Sequence, residues 1–235
     1  MIRKLGLTLK TFTLPAGWTC PAAKDCLSRA DRETGKIQDG PDTEFRCFAA
    51  SAEATYPSLR KMVWSNFELL RAALIEDKKA GFENNPNTVA LIQKSLPKKF
   101  DIMRVHVGGD YFSKQYLQAW VEVAVNNPEK IFYSYSKSLH FFSDVALPQN
   151  LVLTASRGGK YDELIDLHGW KEALVVYSEQ EAIDKGLEID HDDTHAAFGH
   201  KNFALLIHGT QPKGSEASAA LSAIKKAKKQ QLATA

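Results

Sequence analysis

The sequence predicts an α/β protein: a partial parallel barrel of the (β/α)6 type with a long polar loop near its N-terminus. Two patterns predict it. From Phe100 onward, five short apolar runs alternate with helical segments, the arrangement that places helices over the faces of a parallel sheet. Near the start, Leu5, Leu7 and Leu9 alternate with Gly6, Thr8 and Lys10, and Phe12 and Leu14 continue the pattern. That period of two adds a strand. The total, about six strands, suffices for a partial barrel and falls short of the eight of a closed one.

Each element follows in turn. Pro15 stops the first strand, and a polar stretch over 16–45 shows no convincing periodicity. It is too long for a simple connector. A helix is expected from Pro57 to about Ala80, with Leu59, Met62, Val63, Asn66, Leu69, Leu70, Ala73 and Leu74 on one face. Asn87 is placed to cap a shorter helix through Leu96. The later strands are 102–107, 130–135, 151–156, 173–178 and 203–208. Helices are expected near 114–126, 161–168 and 179–185, and over Ser215–Gln231. Ser178 and Glu181 have the spacing of a capping box. The organisation is one α/β domain over 1–235, with a cysteine-bearing loop at 15–56 and a basic C-terminal helix and tail at 215–235.

Composition narrows the classes. The chain has 235 residues, 44% of them hydrophobic and 25% charged, values of a globular domain with material for a core. A net charge of +2 gives no reason to expect nucleic-acid binding. No apolar run reaches membrane-spanning length, and the alternation of Thr and Lys in the first residues is unlike a signal peptide. Three cysteines are too few for a disulfide scaffold and point to a reducing compartment. A cytoplasmic protein is expected.

A parallel α/β fold places its ligand beyond the carboxyl ends of the strands. Here those ends are Gly108-Gly109-Asp110, Ser134 to Lys137, Ala155 to Arg157, Ser178-Glu179 and His208 to Gln211. The cysteines form the second signal. Cys20, Cys26 and Cys47 are grouped near the N-terminus, and none follows. They lie in polar surroundings with Lys24, Arg29 and Arg46 nearby, which favour a thiolate. Three readings stand side by side: free thiols, a Cys3His zinc site, and an iron–sulfur cluster. Three cysteines on a cubane cluster leave one iron open.

The segment from Phe12 through Trp18-Thr-Cys-Pro-Ala-Ala-Lys-Asp-Cys26, then Arg46-Cys-Phe-Ala, Tyr56-Pro-Ser-Leu-Arg and Asn66, resembles a family of bacteriophage proteins. A second block carries the same resemblance: Arg104-Val-His-Val-Gly-Gly-Asp-Tyr-Phe-Ser, Tyr116, Trp120 and Phe132-Tyr-Ser-Tyr-Ser-Lys. That family is in turn similar to radical S-adenosylmethionine (SAM) enzymes, which hold a [4Fe–4S] cluster on three cysteines inside a partial (β/α)6 barrel. The resemblance implies Cys20, Cys26 and Cys47 as cluster ligands. It places Gly108, Gly109 and Asp110 where those enzymes carry a Gly-Gly-Glu motif that receives SAM. It also implies a small molecule at the open iron and an electron donor. The spacing here is Cys-x5-Cys-x20-Cys rather than the compact Cys-x3-Cys-x2-Cys, so residues 27–46 read as an insertion. Alternative readings are a non-catalytic cluster protein acting as a redox sensor or host-interaction module, and a zinc-stabilised binding protein.

The remaining candidates have plainer readings. His106 shares a strand face with Arg104 and Gly108 and reads as a satisfied core histidine. Lys137 and Arg157 read as solvated rim charges, and His208 stands at the end of the last strand, where it could cap the site. Asp190, His191, Asp192, Asp193 and His195 read as a solvated acidic loop. Trp18, Trp64, Trp120 and Trp170 read as core residues. In the last helix Leu221, Ile224 and Ala227 are expected to face inward, with the Lys225–Lys229 run as a solvated face.

Overall fold

The structure is a computed structural model that describes residues 6–234. Leu5 of the expected first strand and Ala235 of the expected tail lie outside them. Seven strands form one parallel sheet: β1 (Leu9–Phe12), β4 (Ile102–Val105), β5 (Ile131–Ser136), β6 (Leu151–Ser156), β7 (Glu172–Val176), β8 (Glu188–Ile189) and β9 (Phe203–Leu206). Their order is β1-β4-β5-β6-β7-β9-β8, with β1 and β8 at the edges. The register runs Leu9↔Ile102, Ile102↔Ile131 and Tyr133↔Val152 through the first four strands. The seventh strand, β8, has two residues, too few for alternation to reveal.

Period-two alternation divides the side chains between two faces. On one face Met103, Val105, Phe132 and Leu151 meet Leu70, Ile92, Leu117, Trp120 and Val123 from three helices. These helices are α2 (Pro57–Lys79), α3 (Pro86–Ser95) and α4 (Lys114–Val125). On the other face Ile102, Tyr133, Ala173 and Phe203 gather around Ala196 and Ala197 of α7 (Thr194–Phe198). Helices α5 (Glu163–His168) and α6 (Glu179–Asp184) cover the later strands through Ile165 and Ala182. Each large side chain buried in these layers stabilises the fold by about 1.5–3 kcal/mol.

The local signals explain most boundaries. Pro57 opens α2 at a position where its missing N–H is not needed. Val63, Leu70 and Ala73 are buried on it, whereas Met62 and Leu69 of the expected apolar face are 46% and 55% exposed. The buried arc is narrower because Arg60 and Asp77 occupy part of it. Asp77 accepts from Asn87 N, Thr88 N and Thr88 Oγ1 at 2.7–2.9 Å, so α2 supplies the cap of α3. Asn85, not Asn87, is the residue preceding that helix. Ser178 Oγ accepts from Glu181 N as in a capping box, and Glu181 reaches one residue further back to accept from Tyr177 N. The last helix, α8 (Glu216–Thr234), is close to expectation. Leu221 and Ile224 are half-buried on it, while Ala227 is exposed, and Lys225 and Lys226 face solvent.

The polar stretch before residue 45 is ordered. It contains an antiparallel hairpin of β2 (Ser28–Ala30) and β3 (Ile37–Asp39). Buried Arg60 sews this hairpin to its neighbours, donating to Arg32 O, Glu33 O and Glu53 O. The short helix α1 (Phe48–Thr55) follows directly from Cys47. Its Ala-rich sequence shows no stripe of large apolar residues, so periodicity does not reveal it.

Candidate functional site

Because all seven strands are parallel, their carboxyl ends lie on one side, and the cysteine segment crosses that side. Three attachments hold it. At β4, Leu14 N donates to Gly108 O at 2.8 Å. At β6, Asp25 N donates to Gly158 O and Lys160 N to Ala22 O, with Ala23 bridged to Gly159. At β9, the Gln211 amide accepts from Arg46 N at 2.8 Å and donates to Arg46 O at 3.1 Å. Each cysteine is therefore anchored beside a different strand end.

All three cysteines line one cavity of about 160 Å³, together with Gly108, Gly109 and Asp110. Burial pushes every thiol upward, Cys47 to about 12, and the charge of Cys26 adds to Cys47. For Cys20, Asp110, Cys47 and Cys26 add in that order. Lys137 acts the other way on Cys26. Backbone donors also face the sulfurs. Gly17 N donates to Cys20 Sγ at 3.3 Å, and the backbone N–H groups of Ala49 and Ala50 at the start of α1 oppose the rise at Cys47. Unliganded, such thiols keep their protons at neutral pH; a bound cation would take the protons' place. Among the described residues, no three His, Cys, Asp or Glu side chains converge as ligands of one metal ion.

The Gly-Gly-Asp turn serves the fold visibly. A Cβ on Gly108 would stand 2.9 Å from Ala49 Cβ, and one on Gly109 would stand 2.5 Å from Thr19 Oγ1. The two glycines let the cysteine segment approach the end of β4. Asp110 is buried and accepts four bonds: Tyr111 N at 2.7 Å, Ser136 Oγ at 2.7 Å, Lys137 N at 2.9 Å and Ser138 N at 3.1 Å. Burial raises its carboxyl, and these four donors oppose the rise.

Several expectations need correction. Lys137 is not a rim charge: it is 6% exposed, and its ammonium donates to Ser156 O, Ser156 Oγ and Arg157 O. The strand that precedes it delivers it inward, which a single lysine after an apolar run does not announce. Arg157 does lie toward the rim, paired with Glu172 and Asp166. The acidic loop is also largely structural. Asp190 is buried and receives His195 N and Ala196 N at the start of α7. Asp193 accepts from Arg104 and from the hydroxyls of Tyr133 and Tyr135. Trp18 is 44% exposed rather than core, and stands 5.7 Å from Trp64. Only Trp120 of the four is fully buried. His208 is exposed, lines the cavity and packs on Phe48 at 4.6 Å.

His106 breaks the strand alternation. Its φ is 71°, so its ring leaves the face of Arg104 and packs between Tyr111 and Tyr116. Nε2 meets Tyr116 Oη at 3.0 Å, and Nδ1 has no partner. Burial holds this imidazole down to about 3. A His depressed below its unfolded value of about 6.5 adds stability above that pH and loses it as pH falls toward 3. Between pH 7 and 4.5 the expected loss is about 2–3 kcal/mol. In His106→Asn, whose side chain tolerates positive φ, urea midpoints should depend less on pH across that range. An unchanged slope would assign the acid sensitivity elsewhere.

The molecule is thus a parallel α/β protein whose N-terminal cysteine segment roofs a cavity at the strand ends. The family model described as Gene product 88 matches residues 2–230, and the chain belongs to that family. It is 30% identical over 170 residues to the Gene 88 protein of Mycobacterium phage L5, covering 68% of this chain and 62% of that protein. The chain thus spans about three fifths of the length of this phage relative. No solved structure matches. Among the described residues, no helix is long and apolar enough to cross a membrane.

Proposed function

We propose that this chain is a phage iron–sulfur protein that binds a [4Fe–4S] cluster through Cys20, Cys26 and Cys47, leaving one iron open to a small molecule. The supporting observation is the presence of three thiols on one cavity wall, from three differently anchored positions. A cubane cluster takes each thiolate on a separate iron, so its ligands stay apart. A mononuclear zinc site needs sulfurs that converge on one ion. Burial and the N–H donors at Cys20 and Cys47 also suit a cluster held away from water.

The fold is read as a partial barrel of the radical-SAM kind. Leu9 of β1 and Phe203 of β9, far apart in strand order, join one cluster around α7, as a rolled sheet requires. When bound, the cluster would supply one-electron chemistry at its open iron, with SAM as the candidate ligand beside Gly108, Gly109 and Asp110. Around it, this chain's residues exclude water and fix charge: Phe45 and Phe48 line the cavity, and Lys137 stands as a held cation near Cys26. An electron donor would be a partner, and the reducing cytoplasm of the infected cell would be the setting.

One observation favours a second reading, a cluster protein without SAM chemistry that serves as a redox sensor. Asp110 and the Gly108 carbonyl are already engaged by the chain's own donors, leaving less of the turn for an incoming amine.

Anaerobic purification with assay of iron, acid-labile sulfide and zinc tests the proposal. About four irons and four sulfides per chain are expected, with loss on Cys20→Ala, Cys26→Ala or Cys47→Ala. A change in the visible spectrum on adding SAM would select the enzyme reading over the sensor. Zinc without sulfide, or no metal after reconstitution, would overturn the cluster.

A further inference from the structure

We propose that the wall of the cavity formed by β4 and β5 binds the oxyanion head of a small ligand with an apolar body, and that Arg104 is the residue that takes it. The residues that would take the oxyanion are not cysteines, although the site opens into the cavity that the cysteines line.

The argument rests on which hydrogen-bonding groups are spent. Arg104 and Tyr135 both line the cavity. Behind Arg104, Nη1 donates to Asp193 Oδ2 at 2.9 Å. Tyr133 Oη donates to the same oxygen and Tyr135 Oη to Oδ1, each at 2.9 Å. The guanidinium carbon sits 4.8 Å from the centre of the Tyr135 ring. Its Nε reaches only a long contact, 3.4 Å, with His106 O. A guanidinium carries five N–H groups in one planar fork, and among the described residues Nη2 makes no hydrogen bond. The side chain is held from behind by a carboxylate and an aromatic face, with part of its fork unspent.

The acceptors show the reverse pattern. Both oxygens of Asp193 are engaged by donors of the chain, and both oxygens of Asp110 are engaged by four. The three N–H groups of Lys137 are likewise spent on Ser156 and Arg157. What remains on this wall is donor capacity at Arg104, and the His208 ring lines the same cavity. A ligand entering here meets donors and no free carboxylate. That selects an anion, and a planar guanidinium fork selects a carboxylate or a phosphate monoester.

The rest of the lining defines the body of the ligand. Phe48, Val175, Leu205 and Ile207 bring apolar surface to the same cavity. The chemical class is therefore a small acid with an apolar body.

Benzoate and phenyl phosphate are suitable probes, with benzyl alcohol as the neutral control. Each is titrated by calorimetry into anaerobically purified protein, and iron content is measured in parallel. Saturable one-to-one binding of at least one acid is expected, with none for the alcohol. Benzoate alone would mark a carboxylate site, and phenyl phosphate alone a phosphate site. Arg104→Met should weaken the bound acid at least tenfold, and Arg104→Lys should fall between. Because Arg104→Met leaves Asp193 without its cation and could misfold, a second measurement uses the unaltered chain. Phenylglyoxal should modify Arg104, as read by peptide mass, and the bound acid should protect it. No saturable binding, equal binding by folded Arg104→Met, or no protection would overturn the site. Acid binding by protein that takes up no iron even after reconstitution would leave this site standing while the cluster falls.

Discussion

Asp110→Ala is expected to destabilise the protein by about 3–5 kcal/mol, the cost of stripping a buried, fully hydrogen-bonded carboxylate from its partners. The four donors come from two places: Tyr111 beside it, and Ser136, Lys137 and Ser138 at the end of β5. The carboxylate therefore joins the end of β4 to the end of β5. Its loss leaves the Lys137 N–H unpaired in a buried place, while Ser138 N keeps only Ser136 Oγ at 3.0 Å. Asp110→Asn should also cost stability, because its amide must turn an NH2 toward N–H or O–H donors. Urea denaturation followed by far-UV circular dichroism measures both. If Asp110→Ala were as stable as the parent and lost only ligand binding, the carboxylate would belong to a ligand and not to the fold.

Gly17→Ala should cost about 2–5 kcal/mol, summing the strain of a left-handed residue and the overpacking of a closed site. Gly17 has φ +72°, and a Cβ there would fall 2.2 Å from the backbone oxygen of Ser28 and 2.7 Å from Arg29 Cγ. Backbone must move to relieve it. Gly17 N is also the donor to Cys20 Sγ, so the displacement reaches the cysteine directly. Iron per chain should fall together with the thermal midpoint. Gly81→Ala is the control: its φ is +70°, and nothing lies within 4 Å of the added carbon, so it isolates the strain alone. Equal losses at the two positions would show that steric contact with Ser28 contributes nothing.

The sequence discloses the parallel sheet well, because Ile102–Val105, Ile131–Ser136, Leu151–Ser156 and Phe203–Leu206 are apolar runs with helices between them. It discloses the candidate site as a place, since strand ends in a parallel sheet converge. What it withholds depends on contacts distant in the chain. Arg104 gains its meaning from Asp193, 89 positions away, and no local pattern links them. Lys137 reads as a rim charge until the acceptors on Ser156 and Arg157 are seen around it. His106 follows the alternation on paper, but its positive φ turns the ring to the other side of the sheet. The hairpin of β2 and β3 is hidden for another reason. Its strands have three residues each, and its stability comes from Arg60 on a later helix rather than from a pattern of its own.

The attachment of Arg46 to Gln211 spans 165 positions, and that separation sets a timetable during synthesis. Cys20, Cys26 and Cys47 are all made before Gln211, the residue that pins the Cys47 side of the segment. At translation speeds of about 5–20 residues per second, roughly 8–33 s separate Arg46 from Gln211. During that interval β4, β6 and β9 are made in turn, so the segment gains its attachments one after another. The last attachment of the segment therefore waits for Gln211, and a chain cut short before it would carry every cysteine without the bonds that fix the Cys47 side.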